Sequence, residues 1–202
     1  MEINRQEIES KFRALLEKDK NYKRAMNAVY QNSNSGKIYL IGGQVYRRLI
    51  NIIHGTNEHN PPKDYDFVVE NPKDEIEPPF GWTSKKNLFG NPNFIRIFPL
   101  IFVDFIPSQG FRSRVDKPEP ITIEDYLSST PLDIQSIAYD PQTGELKGEK
   151  SFESIRAKTV SVNSIRGLEE ALKMRRHETP EDYIVKVART LNFSSNLRIK
   201  SN

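Results

Sequence analysis

The sequence predicts an α+β domain, and three observations carry that expectation. An amphipathic helical stretch opens the chain. A short strand, a glycine pair and a second helical stretch then follow without interruption, and apolar runs bounded by turn residues fill the middle before helical spacing returns. Because strands and helices mix along the chain without a regular alternation, the pattern reads as α+β.

Each element has its own signal. Ile8, Phe12, Leu15 and Leu16 fall at helical spacing on an otherwise charged segment. After the polar break Asp19-Lys20-Asn21, Tyr22, Met26 and Val29 continue a similar pattern. Residues 31–36 read as a loop by composition. Lys37-Ile38-Tyr39-Leu40-Ile41 predicts a strand, Gly42-Gly43 ends it, and Val45, Leu49, Ile52 and Ile53 restart helical spacing. His54 to Lys63 reads as a polar loop, and Asp66-Phe67-Val68-Val69 as the next strand, opened by Asp64-Tyr65. A proline-rich stretch through Pro78-Pro79 holds the only tryptophan, Trp82. Phe94 to Phe98 and Ile101 to Ile106 predict an antiparallel pair, and Asp140 to Gly144 a turn between Ile137-Ala138-Tyr139 and Glu145-Leu146. From Ile165 to Leu191 the spacing is helical, broken at Thr179-Pro180, where Pro180 suits the first turn of a last helix. No internal repeat or low-complexity tract is present.

Composition narrows the classes. The 202 residues are 36% hydrophobic and 28% charged, with a net charge of +3, which leaves enough apolar material for a core and argues against wholesale disorder. No run approaches the ~18 apolar residues of a membrane span, so no membrane association is expected. The start Met1-Glu2-Ile3-Asn4-Arg5 lacks the apolar core of an export signal, and a cytoplasmic location is expected. Absence of cysteine removes disulfides, thiolate zinc sites and thiol nucleophiles together. His54, His59 and His177 show no ligand spacing. Charge is uneven: residues 1–146 carry 18 Lys/Arg against 20 Asp/Glu, and residues 147–202 carry 12 against 7. The basic end, with Lys173 and Arg175-Arg176-His177, suits either phosphate contact or a solvated helical face.

The chemistry-bearing constellation is Gly42-Gly43, a helix, and then Asp64-Tyr65-Asp66. A glycine turn lets backbone approach a ligand closely, and the helix start behind it offers N–H groups to an anion. Residues i and i+2 of a strand share a face, so Asp64 and Asp66 converge, roughly 7 Å apart at Cα. Such paired hard oxygens suit Mg²⁺ chemistry on a nucleoside triphosphate. Asp104 sits within the apolar run Ile101 to Ile106, where a charge costs several kcal/mol unless it is solvated or reaches a cation. Phe80 and Trp82 read as a local hydrophobic plug, with base stacking as the alternative.

These residues resemble the nucleotidyltransferase superfamily, and most of all the head domain of bacterial-type tRNA nucleotidyltransferases (CCA-adding enzymes) and poly(A) polymerases. The family pattern Gly-Gly-x-Val-Arg-Asp-x-Leu-Leu followed by Asp-x-Asp is similar to Gly42-Gly43-Gln44-Val45, Leu49-Ile50 and Asp64-Tyr65-Asp66. Leu132 to Pro141 is similar to the Phe-Thr-Ile-Asn-Ala-x-Ala-Tyr-Asp run, and Ile155 to Val160 to the Leu-x-x-Lys-x-Val stretch after it. The resemblance implies a polymerase-β-like head over residues 37–160, with N-terminal helices at 1–36 and a short basic helical extension at 161–202. It implies Mg²⁺ held by Asp64, Asp66 and Asp104, and a triphosphate held by Gly42, Gly43, Arg47 and Arg48. The implied activity moves a nucleoside monophosphate from an NTP to an acceptor hydroxyl, on RNA, protein or a small molecule, with release of pyrophosphate.

Departures point to an alternative, a catalytically degenerate module that binds nucleic acid or a protein partner. Tyr46-Arg47 stands where the family has Arg-Asp, and Ser129-Thr130-Pro131 where it has Arg-Arg-Asp. Glu181-Asp182 is similar to the start of the family's Glu-Asp-x-x-Arg, but Val185 holds the arginine position. The family continues into neck, body and tail regions that grip tRNA, whereas this sequence stops at Asn202, so CCA addition to tRNA is not expected.

Overall fold

The structure, a computed structural model, describes residues 3–34, 36–108, 121–173 and 178–197. The Arg175-Arg176-His177 cluster lies outside these residues, as does Ser35.

Two helices open the chain, α1 (Arg5–Lys18) and α2 (Lys20–Tyr30). Asp19 separates them and caps α2, its side chain accepting from the Asn21 and Tyr22 N–H groups, which is the reason for the polar break between two apolar stripes. Ile8, Phe12 and Leu16 are buried, whereas Leu15 is 41% exposed. Its position at i+7 falls on the edge of the stripe.

Strand β1 (Ile38–Ile41), helix α3 (Gly43–His54) and strand β2 (Asp64–Val69) follow. Strand β2 starts at Asp64, so the expected strand Asp66–Val69 extends back through Asp64-Tyr65. Then come β3 (Thr83–Lys86), β4 (Pro92–Arg96) and β5 (Ile101–Pro107). The expected antiparallel pair is β4 with β5. Strand β3 was not expected: all four residues are exposed, so no burial pattern marks it. Helix α4 (Ile123–Ser129) precedes a short 3-10 turn at Asp133–Gln135, β6 (Ala138–Tyr139), β7 (Leu146–Lys147) and α5 (Glu149–Ala157). Strand β8 (Thr159–Ser161), α6 (Ile165–Lys173), α7 (Pro180–Thr190) and β9 (Ser194–Asn196) complete the described chain. Helices α4 and α5 also went unforeseen. The first has only seven residues. The second buries Ser151 and Ser154 beside Phe152 and Ile155, which blurs its apolar period.

Seven strands form one mixed sheet in the order β3-β4-β5-β2-β1-β6-β7, and β8 pairs with β9 separately. Within the large sheet only β2 and β5 run parallel. Period-two alternation sorts the side chains. Leu40, Tyr65, Phe67, Val69, Phe94, Val103 and Phe105 join the main core, which also takes Ile8 and Phe12 of α1 and Ile184 of α7. The opposite face carries Tyr39, Ile41 and Val68 under Ile123 and Leu127 of α4. That smaller cluster covers part of the face. Asp64, Asp66 and Asp104 occupy the rest.

Among the described residues no helix is long and apolar enough to cross a membrane.

Candidate active site

The site is built from the turn after β1 and from two neighbouring strands. Gly42 caps α3 with φ +69° and ψ −149°, a conformation essentially confined to glycine. A Cβ on Gly42 would lie 2.6 Å from Asp66 Oδ2, so the turn is packed directly against that carboxylate. Gly43 is close to Pro62, whose Cγ would be 2.9 Å from an added Cβ. No side chain caps the start of α3, leaving its first N–H groups facing the turn.

Pairing of β2 with β5 sets the acids. Asp66 is in register with Asp104 and Asp64 with Phe102. In-register neighbours project on the same face, so the Asp66 and Asp104 side chains stand together. Asp64 lies at the exposed first position of β2. Burial, then the Asp104 and Asp64 charges, and then the Asp104 hydrogen bond push the Asp66 carboxyl up to about 7. Burial and Asp104 also raise Asp64. Among the described residues no basic group contributes to either shift.

Two residues that sequence reasoning missed hold Asp104. Asn93 is in register with it on β4 and donates from Nδ2 to Asp104 Oδ1 at 2.5 Å. Asn87 donates to the same oxygen at 3.3 Å. Asn93 is 7% exposed, and its Oδ1 has no hydrogen-bond partner among the described residues, so a buried amide leaves its own acceptor unmet while its donor serves Asp104. An asparagine just after β3 or near the start of β4 gives no sequence signal of this kind.

The arginines separate. Arg48 is buried and bonds Asp19 Oδ2 at 2.6 Å, with Gln44 Oε1 at 3.0 Å. Tyr65 donates its hydroxyl to the same Asp19 oxygen, and Tyr65 points to the sheet face opposite Asp64 and Asp66. Arg48 is therefore committed to the far side of the sheet, and we leave it out of the candidate site. Arg47, half-buried, donates to the Asn60 carbonyl at 3.4 Å, and its Nε has no partner. With Gln44, which donates to the Pro62 carbonyl, and Asn51, which donates to His59 O at 2.9 Å, it holds the 56–62 loop against α3.

The other family-like positions have structural duties. Ser129 and Thr130 are buried and donate to the Tyr126 and Leu127 carbonyls, closing the end of α4. Asp182 accepts from the Thr179 hydroxyl at 2.8 Å in the capping box of α7.

Among the described residues no group of three or more His, Cys, Asp or Glu side chains stands close enough to hold a metal ion. The fit to a cation therefore rests on the Asp66–Asp104 pair. Two hard oxygen donors stand together without a neutralising lysine or arginine among the described residues, a donor set that suits Mg²⁺. A cleft of about 750 Å³ lies elsewhere, between Gln31 and Phe80 and lined by Lys73, Asp74 and Glu77; none of the candidate residues lines it.

No protein-family model and no curated protein matches this chain. Solved structures do. A CCA-adding enzyme in complex with CTP aligns over 93% of this chain at 15% identity and TM-score 0.62. The Bacillus stearothermophilus CCA-adding enzyme in complex with CTP aligns over 88% at 18% identity and TM-score 0.56. A tRNA nucleotidyltransferase complexed with a primer tRNA and an incoming ATP analog aligns over 85% at 17% identity and TM-score 0.51. The chain spans 43%, 41% and 46% of these three chains. Likeness at this level concerns the backbone: the chain has the fold of a nucleotidyltransferase-like head domain.

Proposed function

We propose that this chain is a Mg²⁺-dependent nucleotidyltransferase that moves a nucleoside monophosphate from an NTP to an acceptor hydroxyl and releases pyrophosphate. The observation that carries the reading is the in-register Asp66–Asp104 pair set against the Gly42 turn. The fold and the CTP and ATP-analog complexes of its structural neighbours support the same reading.

Asp66 and Asp104 are the residues that would hold Mg²⁺, and Asp64, at the exposed start of the strand, adds negative charge beside them. When bound, the ion supplies charge neutralisation at the triphosphate and acidifies the attacking hydroxyl. The residues of the chain do the positioning. The Gly42-Gly43 turn lets the backbone lie against the triphosphate, and the α3 start directs N–H groups at it. Asn93 and Asn87 engage Oδ1 of Asp104 and so orient that carboxylate. Catalysis of this type needs orientation and electrostatics more than covalent work by the protein.

The degenerate-module reading draws support from Arg48, locked to Asp19, and from Ser129 and Thr130, used to close a helix. One experiment separates the two. The protein is incubated with each α-phosphate-labelled NTP, Mg²⁺ and bulk cellular RNA or protein, beside Asp64→Ala/Asp66→Ala. Label transfer at least a hundredfold above that variant is expected. Absence of transfer from every NTP to every acceptor would sink the enzyme reading and leave the binding module.

A further inference from the structure

Residues 80–100 differ from the rest of the head in charge and exposure. The segment contains Lys85, Lys86 and Arg96 and no acidic residue, whereas residues 64–77 carry six Asp/Glu against one Lys. It forms the β3–β4 hairpin and the turn into β5, at the outer edge of the seven-stranded sheet. Phe80 is fully exposed and Phe98 is 85% exposed. Ile97 is 60% exposed and Leu100 41%. Trp82 packs partly against the core, with the Arg96 guanidinium 5.9 Å from its ring. The expected hydrophobic plug is therefore divided: Trp82 seals, and Phe80 does not.

Register places these groups together. Thr83 pairs with Ile95 on β4, so Phe80 and Trp82, just before β3, lie at the same end of the hairpin as Arg96, Ile97 and Phe98. The turn then enters β5, whose Phe102 is in register with Asp64. The aromatic end of the hairpin and the opening of β2 thus share one end of the sheet. Lys85 and Lys86 are exposed, and neither has an ion-pair partner among the described residues. Lysines on an edge strand also oppose pairing with a second copy of the same edge, which argues against self-association as the use of this surface.

We infer that the β3–β4 hairpin is a docking surface for single-stranded nucleic acid. Bases stack on Phe98 and Phe80, and Lys85, Lys86 and Arg96 meet the phosphates. Exposed aromatic rings beside unpaired cations are the physical requirements of sequence-tolerant single-strand binding. A protein partner with an apolar patch would leave three uncompensated cations at the contact, and a duplex would hide the base faces that the rings need. The inference does not depend on transfer chemistry, since binding here uses neither NTP nor metal.

The test is fluorescence anisotropy of a labelled 12-nucleotide single-stranded RNA in EDTA, without NTP, across a salt series. The expected result is binding whose log K falls with log salt at a slope of about −2, from three phosphate contacts at roughly −0.7 each. Phe98→Ala and Phe80→Ala should each weaken binding roughly tenfold, and Lys85→Gln/Lys86→Gln should cut the slope to about −0.7. All these positions are solvent-exposed, and an unchanged circular dichroism spectrum and melting temperature confirm the fold. No binding, equal affinity for a blunt duplex, or binding untouched by the four substitutions would overturn the inference; the last outcome would place the contact on the basic C-terminal end. Loss of NTP transfer has no bearing on this readout, so the two readings fail separately.

Discussion

At Gly42 two independent constraints meet. Its φ of +69° and ψ of −149° lie where L side chains are strained by about 1–3 kcal/mol, and Asp66 Oδ2 occupies the space a Cβ would need. Gly42→Ala should therefore move Asp66 as well as strain the turn. We expect a lower melting temperature and at least a hundredfold loss of NTP-dependent label transfer. Gly55→Ala, at φ +64° but with nothing within 4 Å of an added Cβ, should show the stability loss alone. Equal effects of both substitutions on transfer would show that contact with Asp66 is unimportant. The glycine pair was legible in the sequence, as were Asp64, Asp66 and Asp104. The family resemblance implied that the three stand together, but not their unequal parts: which two are in register is decided by a pairing between strands 38 residues apart.

Among the elements, the junction of α1 and α2 is the clearest case of local signal with distant use. Asp19 caps α2 and also receives Arg48 from α3 and the Tyr65 hydroxyl from β2. Burial raises the Asp19 carboxyl, but the Tyr22 N–H, the Tyr65 hydroxyl, Arg48 and the Asn21 N–H outweigh it and hold it below its ordinary value. A carboxyl lowered in the folded state contributes stability above its unfolded pKa of 3.8. That contribution is lost as pH falls through the folded value. Thermal melts should therefore drop below about pH 4 more steeply in the parent protein than in an Asp19→Asn/Arg48→Met variant. Arg48→Met alone should cost about 3 kcal/mol at neutral pH, because it leaves a recessed carboxylate unpaired. A parallel acid profile in parent and double variant would refute this account. The helical pattern of α3 was readable, and Arg48, three residues after Val45 and four before Ile52, falls beside its apolar stripe. Its partner was not readable, because Asp19 reaches it only once α3 is packed on the α1–α2 junction.

For the whole molecule, a single apolar core joins the first helix to the last. Phe12 is fully buried, with its ring 4.9 Å from that of Tyr139 on β6, and the same cluster reaches Ile184 and Leu191. Phe12→Ala should remove about 3–5 kcal/mol and lower the melting temperature by roughly 10 °C, at ~2–4 °C per kcal/mol for a chain of this size. The loss should appear in one cooperative transition, read by both circular dichroism and tryptophan fluorescence at Trp82. Two separate transitions would mean that the N-terminal helices melt on their own.

The sequence by itself determined the α+β class, the order of most helices and strands, and the residue types at the glycine turn and on the acidic strands. These follow from periodicity and local backbone chemistry, which act within a few residues. The tertiary structure alone decided the strand order that brings β5 alongside β2. It likewise decided that Asn93 and Asn87 serve Asp104, that Arg48 is spent on Asp19, and that Phe80 and Phe98 stay exposed at one end of the sheet. Those outcomes depend on contacts between segments distant along the chain, and such contacts exist only once the sheet is assembled.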